Sequence, residues 1–467
     1  MSGATVVISP AGYSSGGVTP TFDYYISPTG SDANVGTLAS PWAITAINTK
    51  RATYAGKSVG LLDGTYDLSA ASSFDGGSSY LAYSIASGAP GAPTVIQAVN
   101  ARQAILSLKS GSTRNQNAAL GLGGVSGQIG YATIKNLVIT GGGNSSIRYI
   151  PPSVGYHLGL RVEGCEIYDQ LLPVQDNCPA IAASACDGLI VFNNKFHDLY
   201  LTGSSEGACA LLTFGCKNIQ FEQNTVYNTL CGIYDKHNIG GRTDPNQGMT
   251  VARNYFHDIA LTTFHGFDNQ YAAQVTGGPF LPHTIRNNVA HAIKGWIYPQ
   301  ISEPANAANV HYNNTIILSS AASGGVALPC ASTSAKQSFY NNIIQRSSTT
   351  GDSGDVTFSV GGMSVVDFNC YSSDRITAQI ASPIGTYDGT TTFTAYTTLS
   401  SWQSASGKDA NSQQAVAGFV GGSGAGAYAL AAGSPCLNAG RVGGVSGGAT
   451  CHQGAWDGSV SQIGCDF

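Results

Sequence analysis

Charge is scarce in this 467-residue chain: only 10% of residues are Asp, Glu, Lys or Arg, and the net charge is −5. With no run rich in Lys or Arg, the sequence offers no footprint for nucleic acid. No stretch of about 20 apolar residues is present to span a bilayer. No two cysteines take Cys-x-x-Cys spacing, which argues against a zinc site. Helix-type 3.6 periodicity is missing as well. The chain holds 60 glycines instead, and its apolar residues alternate in short runs, as expected for strands joined by tight turns.

Three near-copies of one pattern organise the middle of the chain. They read Leu-Ile-Val-Phe-Asn-Asn194-Lys-Phe-His-Asp, Ile-Gln-Phe-Glu-Gln-Asn224-Thr-Val-Tyr-Asn and Met-Thr-Val-Ala-Arg-Asn254-Tyr-Phe-His-Asp, with the second Asn recurring every 30 residues. Weaker copies place Asn136 and Gly164 upstream, and Asn288, Asn314, Asn342 and Asn369 downstream at spacings of 34, 26, 28 and 27. A period of this length, with alternating apolar flanks, counts the turns of a β-solenoid. The recurring Asn is expected at a bend between two strands. There it tolerates the left-handed backbone and bonds to its equivalents above and below.

A solenoid extends as one domain without enlarging its core, so the length demands no division into several. Residues 1–22 read as a leader or extended arm, 23–58 as an N-terminal cap with a short helix, 59–374 as coils, and 375–467 as irregular closing turns and a C-terminal cap. Eleven cysteines is an odd count. Cys186 and Cys216 each lie eight residues before their Asn, one rung apart, and are expected as stacked thiols rather than a bridge. Cys436, Cys451 and Cys465 are expected to form one bridge stapling the last turn. No charged segment followed by a long apolar one opens the chain. The expected extracellular location therefore requires a signal already removed, or release by another route such as a phage particle.

Both ends carry recognisable motifs. Tyr24-Tyr-Ile-Ser-Pro-Thr-Gly-Ser-Asp, followed by Val59-Gly-Leu-Leu-Asp-Gly-Thr-Tyr66, resembles the capping segment of bacterial right-handed parallel β-helix proteins, many of them pectate-lyase-like polysaccharide lyases. Gly433-Ser-Pro-Cys-Leu-Asn-Ala-Gly440 with His452-Gln-Gly-Ala-Trp-Asp resembles their closing segment. Cys231-Gly-Ile-Tyr-Asp-Lys-His237 and Met249-Thr-Val-Ala-Arg-Asn-Tyr-Phe-His-Asp258 echo pectate-lyase coils. The family's Arg-x-Pro-Arg-x-Arg segment has no counterpart, since Arg286 is the only Arg between Arg253 and Arg346. The resemblance implies an all-β right-handed parallel β-helix acting on a polysaccharide. It specifies architecture more than chemistry, because the fold carries lyases, hydrolases and tailspikes alike.

Titratable groups gather on the middle rungs, where eight of the nine His lie between His157 and His311. Counting three residues past each recurring Asn gives a column of His197, Tyr227, His257 and His291; counting four gives Asp198, Asn228, Asp258 and Ala292. Such columns either line a groove that follows a sugar chain or hydrogen-bond to one another at turns. The densest polar run is Gly232 to Asp244. Cleavage of a uronate by β-elimination needs a base for the proton alpha to the carboxylate, a cation to neutralise that carboxylate, and an acid for the leaving oxygen. Lys236, His237 and Arg242 are the catalytic candidates. Lys236 or Arg242 would serve as base where neighbouring cations or Ca²⁺ depress its pKa, and His237 as acid or base without much tuning. Asp235, Asp244 and Asp268 form a candidate Ca²⁺ set, suited to a hard cation. His197, Tyr227, His257, His265, Tyr271 and Arg253 are candidate substrate contacts. A hydrolase would instead pair Asp235 with Asp258 or Asp268 and need no metal. A non-catalytic adhesin would need only the polar and aromatic surface.

Overall fold

The computed structural model describes residues 21–76, 80–111, 113–124, 127, 129–170, 178–199, 207–236, 248–265, 281–296, 308–318, 326–328, 337–346, 356–359, 363–371, 376–379, 393–396 and 398–455. These form a parallel β-solenoid. Twelve parallel strands make its first face, among them Arg161–Glu163, Ile190–Phe192, Gln220–Glu222, Thr250–Ala252, Thr284–Arg286 and Val310–Tyr312. A sheet of seventeen strands supplies the other two faces. Thr225–Lys236 and Tyr255–His265 run through both of them, which joins the two faces into one sheet.

Alternation fills the interior. Val162, Val191, Phe221, Val251, Ile285 and Phe339 point inward from the first face, Ile167, Phe196, Val226, Phe256 and Ile316 from the second, and Ile147, Ile181, Leu211, Ile233 and Phe264 from the third. Each rung buries its apolar residues only against its neighbours, so the core is a continuous column.

The first corner explains the 30-residue repeat, with a shift of one residue from the sequence expectation. The left-handed backbone falls on the residue before each recurring Asn: Asn193 (φ 53°), Gln223 (55°), Arg253 (57°), Asn287 (54°), Asn313 (53°) and Asn341 (57°). Asn136 (57°) and Gly164 (65°) belong to this left-handed column and not to the stack beside it. Next to it the stacked asparagines are fully buried. Asn194 Nδ2 donates to Asn224 Oδ1 at 3.0 Å, and Asn224 to Asn254 at 3.1 Å, Asn254 to Asn288 at 2.9 Å, Asn288 to Asn314 at 3.0 Å, Asn314 to Asn342 at 3.0 Å and Asn342 to Asn369 at 3.2 Å. Each backbone N–H donates to the same oxygen, as Asn194 N does at 2.9 Å. An amide that satisfies two neighbouring rungs has no need of the strained conformation, so the preceding residue makes the bend.

Short helices Ala46–Thr49 and Arg51–Tyr54 bury Ala46, Ile47 and Tyr54 in the main core. At the other end the asparagine stack stops where Asn369 Nδ2 donates to Asp409 Oδ1 at 3.1 Å and its N–H to Ser412 Oγ at 2.8 Å. The chain then returns along the first corner: Asn341 Nδ2 donates to Arg441 O at 2.8 Å, Asn313 Nδ2 to His452 O at 2.7 Å and Asn287 Nδ2 to Ala455 O at 3.4 Å.

Cys186 and Cys216 are free and stacked, with Cys186 N 3.4 Å from Cys216 Sγ. Cys436 and Cys451 are also free, which corrects the expectation of one bridge among Cys436, Cys451 and Cys465. Cys436 packs with Cys370 in a small apolar cluster, whereas Cys451 lies in a hairpin opposite Gly440. Cys465 lies outside the described residues.

Candidate functional site

The sequence-predicted aromatic column forms on the outer side of the second face. Tyr168, His197, Tyr227 and His257 occupy matching positions on successive strands. Their rings are stacked with centroids 4.9, 4.8 and 4.6 Å apart and planes within 8° of parallel. Rings stacked this closely occupy one another's faces, so His197 and Tyr227 present edges outward and no face on which a sugar ring could lie. Tyr428, from the returning C-terminal segment, closes the row beside Tyr255 and His291 at 6.5 and 5.2 Å.

His197 is held by two carboxylates, with Nδ1 2.7 Å from Asp198 Oδ2 and Nε2 3.1 Å from Glu166 Oε1. Lys195 Nζ also reaches Glu166 Oε1 at 3.2 Å. The hydrogen bond from His197, with help from Lys195 and against the opposing pull of burial, holds the Glu166 carboxyl down at about 2. Asp198 is likewise below its ordinary value: burial raises it, and bonds from His197 and Asn228 more than offset this. Asp198 and Asp258 make the second corner in left-handed backbone (φ 52° for both), aligned with Asp169, Asn228 and Ala292. Short acids and amides fit there because they tolerate that conformation. A count that starts from Gly164 as the stacked residue misses Tyr168 and Glu166. With Cys165 there instead, as its N–H on Asn194 Oδ1 at 2.9 Å requires, Tyr168 falls at the same offset as His197.

Asp235 and Lys236 end a strand of the third face. Asp235 is fully buried and points into the solenoid, accepting from Thr213 Oγ1 and lying 3.2 Å from His283 Nε2. Met249 N donates to His283 Nδ1 at 3.1 Å, so Nε2 carries the proton that faces Asp235. This corrects two expectations. A carboxylate sealed in the core is not offered to a cation in an outer groove, so Asp235 does not fit the Ca²⁺ set. Nor can it flank a glycosidic bond with Asp258, which lies on the outer corner with its side chain 63% exposed.

Lys236 points outward, its Nζ 4.4 Å from the centre of the Tyr234 ring. Arg253 forms the left-handed position of the first corner, away from Lys236. His265 ends its strand opposite Tyr234. His237, Arg242, Asp244, Asp268 and Tyr271 lie outside the described residues. Among the described residues no cluster of three or more His, Cys, Asp or Glu is placed to hold a metal ion, and no helix is long and apolar enough to cross a membrane.

Among solved structures the chain is similar to pectate lyase Pel9A, with a TM-score of 0.50, 14% identity, and coverage of 93% of this chain and 96% of that one. Weaker likenesses are to a mannuronic acid-specific family 6 polysaccharide lyase from human gut microbiota and to the Streptococcus pneumoniae surface adhesin PfbA. The first has a TM-score of 0.42, 13% identity, and coverage of 74% and 86%. The second has a TM-score of 0.41, 11% identity, and coverage of 70% and 86%. No family model matches the sequence, and no curated protein matches it. The protein is a parallel β-helix, a fold it shares with that pectate lyase.

Proposed function

We propose that the protein acts on an acidic, uronate-containing polysaccharide outside the cell and cleaves it by β-elimination. The observation that carries the reading is the likeness to a pectate lyase over nearly the whole length of both chains, together with an outward cation at Lys236 in the coil that echoes that family's sequence. An outward ammonium above a tyrosine ring suits Lys236 to neutralising the uronate carboxylate rather than to removing the proton. His237, next in the chain, would then take the proton alpha to that carboxylate. The electron pair of the broken C–H bond forms the new C=C bond as the glycosidic oxygen leaves, and the leaving oxygen is protonated by a second acid or water.

The hydrolase alternative is less well supported. Glu166 and Asp198, two of the acids that touch the aromatic column, are both held below their ordinary values, whereas a hydrolase needs one carboxyl raised enough to protonate the leaving group. The test is incubation with a panel of acidic polysaccharides while absorbance of an unsaturated uronate is followed. Growth of that absorbance on at least one substrate is expected. Reducing ends without it would establish hydrolysis, and binding without either would establish an adhesin. Both outcomes overturn the reading.

A further inference from the structure

Two partly buried arginines outside the site described above have no carboxylate partner among the described residues. Arg148 lies between Ile147 and Tyr149, both buried in the core, so its side chain stands on the outer side of the third face. It is half-buried, yet among the described residues it has no hydrogen bond and no ion pair. The Tyr80 ring lies 5.4 Å from its guanidinium carbon. Arg51, at the start of its short helix, donates Nη1 to the backbone oxygen of Ser84, and its guanidinium carbon lies 5.3 Å from the centre of the Phe74 ring. No carboxylate pairs with it among the described residues either.

Arg51 reaches the column in which Arg148 stands. Ser84, whose backbone oxygen accepts from Arg51, is registered with Gly121, and Gly121 with Arg148, so Ser84 and Arg148 lie two rungs, or about 10 Å, apart. Gly121 puts no side chain between them, and a Cβ there would lie 1.8 Å from Arg148 O. The rings also come from one loop, closed by the Phe74 N–H donating to Leu81 O at 2.7 Å. Tyr80 is 48% exposed. Burial pulls both guanidiniums down from their ordinary value, and no neighbouring acid offsets the cost. A cation carrying that desolvation cost without a paired carboxylate is suited to an anion that arrives from outside.

We propose that Arg51, Phe74, Tyr80 and Arg148 form a binding site for a polyanionic glycan, with the two guanidiniums taking successive acidic groups of one chain and the exposed Tyr80 ring packing against a sugar. Planar guanidiniums bind carboxylates and sulfates bidentately, and an aromatic ring beside each gives a sugar a flat apolar surface. The site lies toward the N-terminal end of the same solenoid face as Lys236. Three registered strand pairs connect Arg148 to Tyr234 through Ala182 and Leu212. The inference rests on the reading of the protein as acting on an acidic glycan and names a second place at which that glycan is held.

Binding of an oligogalacturonate hexamer, a sulfated oligosaccharide of similar length and a neutral one to the full chain tests it by titration calorimetry. The acidic probe that binds identifies the anion, and the neutral one is expected not to bind. Arg148→Ala is expected to weaken binding at least about 10-fold, and Tyr80→Ala, at an exposed position that leaves the fold intact, about 5-fold. Binding to neither acidic probe, or unchanged binding in both variants, overturns the site. If Tyr80→Ala and Arg148→Ala weaken binding while no polysaccharide is cleaved, the site stands and the lyase reading fails. If cleavage occurs and both variants leave KM and affinity unchanged, the reading stands and the site fails.

Discussion

Asp235 and Lys236 are neighbours in sequence and lie on opposite sides of one strand. The Asp235 carboxylate is sealed inside the solenoid between Thr213 and His283, and the Lys236 ammonium stands outside above Tyr234. Strand alternation makes this unavoidable, and it separates a structural role from a chemical one.

Asp235→Ala is therefore expected to act on stability. It takes the acceptor from Thr213 Oγ1 and the carboxylate that lies 3.2 Å from His283 Nε2 in a fully buried place, at a cost of about 2–4 kcal/mol. Chemical denaturation of the variant checks this. A variant as stable as wild type would mean that the interior pair contributes nothing.

Asn224→Leu is expected to cost about 2–4 kcal/mol as well. It removes the oxygen that accepts from both Asn194 N and Asn194 Nδ2, and the donor to Val191 O. Asn342→Leu is expected to cost a similar amount, because Asn342 makes the same kinds of bond, to Asn314, His311 and Asn369. Denaturation midpoints of the two variants against wild type decide the matter. Two unchanged midpoints would contradict the role given to the stack.

The repeat made the solenoid legible, because a spacing near 30 residues between apolar frames has few other physical meanings. It also located the aromatic row, since a fixed offset from a stacked residue falls on one face. What it could not give was which of two adjacent residues makes the bend. Asn tolerates both the left-handed position and the stacked one, and Asn193 and Asn194 stand side by side. That one-residue ambiguity misplaced Asn136 and Gly164 and hid Tyr168 and Glu166. Arg51 and Arg148 carried no signal at all. They are 97 residues apart in sequence, and the link between them is that Ser84, which accepts from Arg51, falls into register with Gly121 and Arg148.

Glu166 gives a pH signature. Its carboxyl sits near 2 in the folded chain against an ordinary value of 4.5. Between those values the unfolded chain binds the proton and the folded chain does not, so the contribution of Glu166 is fully present above about pH 4.5 and lost as pH falls toward 2. Glu166→Gln removes that linkage. Its melting temperature is expected to fall less steeply than that of wild type from pH 4.5 down to 2, and to lie below it at pH 7. Parallel curves across this window would show that the His197–Glu166 contact does not form in solution.

Lys236 separates two chemical roles on one face. If its charge neutralises a uronate carboxylate, Lys236→Ala should lower kcat/KM on a cleaved polysaccharide by about 10²-fold or more, with little change in melting temperature because the side chain points outward. Lys236→Arg keeps the charge and should retain at least about 10-fold more activity than the alanine variant. A proton-accepting lysine would behave differently, because an arginine cannot give up its proton at neutral pH and the two variants would be equally inactive. His237→Ala should then lose turnover whichever residue stands at 236. Initial rates of the three variants on one substrate, read by uronate absorbance, distinguish these outcomes, and full activity in Lys236→Ala would remove Lys236 from the chemistry altogether.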